Sequence, residues 1–192
     1  MIFPIVAYGH PVLRKVAAPL HPGELPLETF IADMWETMYA SSGVGLAAPQ
    51  VNRSIRLFTV DTVQIFEGMS EEERKEYADA PGIKTVFINA TILSVSGTPW
   101  AYNEGCLSIP KIREDVMRPD TLVMDYQDEN WQQHRKTFSG LTARVILHEY
   151  DHLEGRLFID HLSALKKKIL KGKLTDITKG KIKVDYKMQF PG

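Results

Sequence analysis

The sequence has a single cysteine, Cys106, among its 192 residues, so no internal disulfide can form. It also lacks an excess of either charge, with 23 basic and 24 acidic side chains giving a formal net charge of −1. That balance gives no global signal for nucleic acid or an anionic membrane, and neither sequence-specific nucleic-acid binding nor membrane association is expected. No run reaches the about 18–20 apolar residues of a membrane span. The opening Met1-Ile2-Phe3-Pro4-Ile5-Val6-Ala7-Tyr8 has no basic leader before its apolar residues, which predicts a cytoplasmic protein. Repeats and low-complexity segments are missing too. What is present is an ordinary globular composition, 44% hydrophobic and 24% charged, suited to one domain over residues 1–192 with a single sizeable core.

Leu27, Phe30, Ile31, Met34, Trp35 and Met38 recur at helical spacing before Ser41-Ser42-Gly43, predicting an amphipathic helix over about 26–41. Residues 54–61, 84–93, 121–127 and 132–138 carry the β-branched and aromatic content of strands, with Asp128-Glu129-Asn130 as the turn between the last two. A mixed, mostly antiparallel sheet is expected. Ser70-Glu71-Glu72-Glu73 has capping-box spacing and opens a charged stretch ended by Pro81-Gly82, so about 66–82 reads as a surface insertion. A second helix starts near Ser139-Gly140 and ends at Gly155, with Leu141, Val145, His148 and His152 on one stripe. Residues 162–192 form a basic tail containing Lys166, Lys167, Lys168, Lys171, Lys173, Lys179, Lys181 and Lys183. It reads as a solvated C-terminal helix with Leu162, Leu165, Ile169 and Leu174 docked inward.

The second helix holds the chemistry. In His148-Glu149-Tyr150-Asp151-His152 the two histidines are four apart, hence on one helical face, where both imidazoles can grip one metal ion while Glu149 reaches the water it binds. The bland alternative is a pair of helix histidines that only hydrogen-bond. A third ligand would decide, and candidates downstream are Glu154 and His161. Upstream lies Cys106, between Gly105 and a short apolar run; a thiolate is a strong ligand for a borderline divalent metal, although alone it could be a buried inert side chain. A third segment, Gly43-Val44-Gly45-Leu46-Ala47-Ala48-Pro49-Gln50, permits close backbone approach and ends in an uncharged amide. Gln50 is either a surface residue after a helix cap or a donor to a developing oxyanion.

Together, Gly43–Gln50, Glu104-Gly105-Cys106-Leu107-Ser108-Ile109-Pro110 and His148–His152 resemble, in order, the three motifs of peptide deformylase, in its bacterial form with Ile-Pro after Cys-Leu-Ser. Gly9-His10-Pro11-Val12-Leu13-Arg14 is similar to that family's N-terminal segment, and the resemblance spans about residues 4–165. It implies an α+β fold with mixed, mostly antiparallel sheets around a central helix carrying the two histidines, followed by a C-terminal helix. It implies metal ligation by Cys106, His148 and His152, Glu149 as general base, and Gln50 with the Leu107 backbone N–H as oxyanion donors. Val44, Leu141 and Val145 would wall a pocket for methionine, and the Gly45 and Gly105 backbones would pair with the extended peptide. The substrates would be N-formylmethionyl nascent peptides, and the metal Fe(II) in the cell, with Zn, Ni or Co taken up on purification. A transient ribosome contact would fall to the lysine-rich tail. Less typical are the 66–82 insertion and Tyr102 and Arg144 at the pocket or its rim.

Three rivals follow from the residues: a metallopeptidase using a downstream ligand, a structural metal module with a closed site, and an inactive binding homologue. The last is disfavoured because both Glu149 and Gln50 are present.

Overall fold

The computed structural model describes residues 1–191. The short strand β1 (Ile5–Val6) precedes helix α1 (Leu27–Ala40), strand β2 (Gly45–Ala47) and strand β3 (Leu57–Asp61). Two short helices, α2 (Val63–Glu67) and α3 (Glu71–Lys75), lead to strands β4 (Lys84–Ser96), β5 (Trp100–Cys106), β6 (Ile109–Arg118), β7 (Thr121–Gln127) and β8 (Gln133–Ser139). Helices α4 (Gly140–Leu153) and α5 (Ala164–Thr178) follow, and strand β9 (Met188–Gln189) is the last element. The main sheet runs β2-β3-β4-β7-β8, antiparallel throughout; β5 and β6 form an antiparallel hairpin, and β1 pairs with β9 in parallel. The expected α+β class with mostly antiparallel sheets is what the chain adopts.

Strand β3 shows why the main sheet is covered on both faces. Phe58 and Val60 enter one cluster with Phe87, Tyr126, Phe138, Ile146 and Leu147, while Leu57 joins Met34, Met38, Leu46 and Ile88 in another. Because successive side chains point to opposite faces, α4 packs on one side and α1 on the other. Phe58 stacks on Phe87 at 4.7 Å, and Phe87 meets Tyr126 at 4.5 Å. Truncating a buried core side chain such as Ile146 to alanine costs about 2–5 kcal/mol, so α4 is held firmly.

The segment before β4 is tied to α4. Ser70 and Glu73 form the expected reciprocal cap, at 3.2 and 2.7 Å. Phe66 is buried, Tyr77 meets it edge-on, and Asp79 accepts a hydrogen bond from the Thr142 N–H at 2.8 Å. Helix α4 has no acidic residue in its own first turn and no capping bond from Ser139. Asp79 thus supplies the anion that a helix N-terminus attracts.

The tail requires a correction. Leu162 and Leu174 are buried as expected, but Leu165 and Ile169 are each 69% exposed, and the inward stripe of α5 is Leu170, Leu174 and Ile177. At about 100° per residue, Leu165 and Ile169 fall roughly a quarter-turn or more from that stripe. Beyond Gly180 the chain returns without regular structure, with Ile182, Val184 and Tyr186 half-buried and Lys181, Lys183, Asp185 and Lys187 exposed, before β9 joins β1. No helix among the described residues is long and apolar enough to cross a membrane.

Candidate active site

Helix α4 presents His148 and His152 one turn apart, their rings 5.3 Å between centroids. The β5–β6 hairpin delivers Cys106 to the same place, just before a tight two-residue turn made by Leu107 and Ser108, across which Cys106 pairs with Ile109. Ligand atoms of Cys106, His148 and His152 lie within 4.8 Å of one another, with Cys106 Sγ 3.4 Å from His152 Nε2. The downstream candidates point elsewhere. His161 Nε2 is 2.8 Å from Asp151, and Glu154 pairs with Arg56 at 2.8 Å.

His148 Nδ1 lies 3.0 Å from Glu104 Oε2, which turns its Nε2 toward the thiol. Glu104 is itself gripped by Arg118 Nε and Nη2 at 2.7 and 3.0 Å and by Arg144 Nη1 at 3.0 Å. Arg118 reaches on to Asp151 at 2.7 Å. Burial opposes charge on Glu104, but His148 and Arg118 outweigh it and hold the carboxyl well below the usual range. Burial likewise pushes the Cys106 thiol up, and the adjacent His152 and His148 more than reverse this, bringing it down to about 5. The thiolate demands positive charge beside it. One soft anionic sulfur and two imidazoles, one oriented by a carboxylate, fit a borderline divalent cation in an open three-ligand site.

Glu149 is 4% exposed, and its carboxyl lies against the Gly45 backbone so closely that a Cβ at residue 45 would sit 2.5 Å from Oε1. Its Oε2 has no hydrogen-bond partner among the described residues. Burial, partly offset by His148 and His152, raises its pKa to about 7. Gln50 is equally buried, and its amide orientation is set: Oε1 accepts from the Ala47 N–H at 2.9 Å, leaving Nε2 to face Cys106 Sγ at 3.5 Å and Ser108 Oγ at 3.3 Å. These groups border a cleft of about 700 Å³. Val44, Gly45, Gly105, Leu107, Leu141 and Val145 line it, as do Tyr102 and Arg144, while His152 lies deeper, 1% exposed. The structure thus gathers every residue singled out in the three motifs.

Two contributions escaped the sequence. One is the Glu104–Arg118–Asp151 network; Glu104 sits inside the cysteine motif, but its partners are remote in sequence. The other is the returning C-terminal segment, whose Lys183, Val184, Asp185 and Tyr186 border the cleft.

An α+β scaffold that brings a low-pKa thiol, two helix imidazoles and a buried carboxyl to an open cleft defines a metal-dependent hydrolase. The family model described as polypeptide deformylase matches residues 2–168. Peptide deformylase of Christiangramia forsetii is 52% identical over 193 residues, covering 100% of this chain and 97% of its own length. That of Cytophaga hutchinsonii is 50% identical over 191 residues, with 100% and 98% covered. The crystal structure of a peptide deformylase from Legionella pneumophila superposes with a TM-score of 0.78 at 34% identity, covering 94% of this chain and 98% of that one. The chain belongs to the peptide deformylase family. It is a metal-dependent enzyme that removes the N-formyl group from the formyl-methionine of newly synthesised proteins, releasing formate.

Proposed function

We propose that Cys106, His148 and His152 hold the catalytic metal, with Glu149 as general base and Gln50 and the Leu107 N–H as oxyanion donors. The observation that carries this reading is the convergence of the three ligand atoms within 4.8 Å beside a buried carboxyl that has a free oxygen. A divalent ion there supplies Lewis acidity and lowers the pKa of an attacking water. Glu149 accepts the proton of that water as its oxygen bonds to the formyl carbon. The developing oxyanion is met by Gln50 Nε2, whose direction the Ala47 N–H has already set, and by the Leu107 N–H. Collapse breaks the C–N bond, and Glu149 returns the proton to the departing amine. A carboxyl near pKa 7 suits both halves of this cycle. Replacing Glu149 with alanine is expected to keep metal content at the wild-type level and abolish turnover; near-normal turnover with metal retained contradicts the assignment.

The methionine side chain is assigned to the wall formed by Val44, Leu141 and Val145, and the Gly45 and Gly105 backbones to pairing with the extended peptide. Among the described residues strand β2 is an edge of the main sheet and β5 pairs only with β6, so each has a ladder side free of other strands. Equal rates on formyl-Met and formyl-Asp peptides would contradict the pocket. The single-domain organisation over 1–192 and a cytoplasmic location belong to the same reading. So does Fe(II) as the resident metal, with Zn, Ni or Co as replacements: a ferrous ion on an accessible thiolate predicts activity lost in air, and stable aerobic activity of iron-loaded protein overturns it. Exposed lysines of α5, among them Lys168, Lys171 and Lys173, offer the nascent-chain enzyme a contact with ribosomal RNA. Unchanged ribosome sedimentation after their replacement by glutamate removes that contact.

A further inference from the structure

The turn that carries Cys106 into the site has two central residues, Leu107 and Ser108, and both of their carbonyls are held by the ends of the chain. The Tyr8 N–H donates to the Ser108 carbonyl at 2.8 Å. The Tyr186 hydroxyl donates to the Leu107 carbonyl at 2.7 Å. These two holders are themselves locked together: β1 pairs with β9 in parallel, Ile5 with Met188 and Val6 with Gln189, and the Ala7 N–H donates to the Gln189 carbonyl at 2.8 Å. Tyr186 half-buries its ring against the α1-side core, and with Val184 it borders the substrate cleft. Half-buried Ile182, Val184 and Tyr186 alternate with exposed Lys181, Lys183 and Asp185, so this segment lies as a strap with one side against the body of the protein. All of it lies beyond residue 168, outside the stretch matched by the family model.

We propose that Tyr186 is a positioning residue for deformylation: its hydroxyl fixes the Leu107–Ser108 turn, and through it the Leu107 N–H, while its ring and Val184 complete a wall of the peptide cleft. Besides Tyr186, the turn is held through Ser108, which is buried and accepts from the Tyr8 N–H at 2.8 Å, whereas the Leu107 carbonyl is held by the Tyr186 hydroxyl. Cys106 and Ile109 close it by strand pairing, and the one side-chain bond, from Gln50 to Ser108 Oγ, is 3.3 Å long. An oxyanion donor serves only when its N–H is aimed at the place where charge develops. A tyrosine hydroxyl on the neighbouring carbonyl limits rotation of the turn at no cost in charge, because the bond is neutral and needs no titration. The expected division of labour is specific: hydroxyl for the transition state, ring for peptide binding.

This inference rests on the oxyanion role given above to Leu107, and its test separates the two. Full-length Tyr186→Phe and Tyr186→Leu are compared with wild type for kcat and KM on a formyl-Met peptide, metal content, and amide hydrogen exchange of segment 104–110. Tyr186→Phe keeps the ring, so metal content and KM are expected to stay within about two-fold of wild type. Its kcat should fall about five-fold, the equivalent of one neutral hydrogen bond worth about 1 kcal/mol. Exchange across 104–110 should quicken, with β3 unchanged. Tyr186→Leu should raise KM as well. Unaltered kcat and unaltered exchange in Tyr186→Phe overturn the proposal, as does a kcat loss matched in full by lost metal. Quickened exchange with unaltered kcat overturns the assigned role of the Leu107 N–H, and with it the catalytic part of this proposal.

Discussion

Gly45 and Gln50 show how much at this site depends on single side chains being absent or turned one way. A methyl group at residue 45 would meet Glu149 Oε1 at 2.5 Å, so Gly45→Ala must displace the carboxyl. Displacements of about 1 Å cost on the order of a hundred-fold in rate; kcat should fall by about that factor with metal content unchanged, and a near-normal kcat would show that Glu149 has room to spare. Gln50→Leu should keep the shape of the cleft and lose roughly 10²–10³ in kcat, the usual effect of removing an oxyanion donor. At this scale the sequence was informative, because Cys106, Gln50, Glu149 and both histidines sit in short motifs. Glu104 was in plain view too, but its task was not. Arg118 and Arg144, which grip it, and Asp151, which holds Arg118, are brought to it only by the folding of a hairpin and a helix.

That hairpin is the element the sequence hid. In β6, Lys111, Arg113, Glu114 and Asp115 break the apolar pattern of a strand, and the inward positions Ile112 and Val116 are too sparse to show period two unaided. Strands β3, β4, β7 and β8 were legible from their β-branched and aromatic content, and helices α1 and α4 from an apolar periodicity that faces a core. Helix α5 misled for the opposite reason: it carries more leucine and isoleucine than its buried stripe needs. Two predictions belong here. Asp79→Ala removes the only acidic cap of α4 and should lower stability by about 1 kcal/mol in denaturant unfolding; an unchanged midpoint would show the cap to be idle. Glu104 and Asp151 are both held below their ordinary values, 4.5 and 3.8, in spite of burial, by His148 and Arg118 for the first and His161 and Arg118 for the second. The folded state binds these protons less readily than the unfolded chain, so the stabilisation is full above about pH 4.5 and is lost as pH falls through and below that range. Acid unfolding should therefore steepen there, and Glu104→Gln should flatten the dependence while lowering stability at neutral pH.

In the whole molecule, three parts distant in sequence meet at one cleft: α4 from the sheet's face, the β5–β6 hairpin with Cys106, and β2 with the segment after it that carries Gln50. The parallel pairing of the chain's two ends adds a fourth. The class of fold was readable because sheet and helix patterns are local; the meeting of the parts was readable only through the motifs, since no single-sequence pattern reports contacts between residues 50, 106 and 148. On the proposed assignment the ligands Cys106, His148 and His152 come together only when α4 and the β5–β6 hairpin are assembled, so chelation should abolish turnover and lower the thermal midpoint, and re-addition of a divalent ion should restore both.

The most direct test of the central claim, that Cys106 joins the two helix histidines in a deformylase centre, is formate release from a formyl-Met peptide by anaerobically prepared protein, with metal analysis on the same sample. Wild-type protein should release formate and a free amine in equal amounts while carrying about one divalent ion per chain, and Cys106→Ala should lose both ion and turnover. Cys106→Ala that keeps its metal and its rate, or wild-type protein that cleaves an internal peptide bond and leaves the formyl group in place, would contradict it.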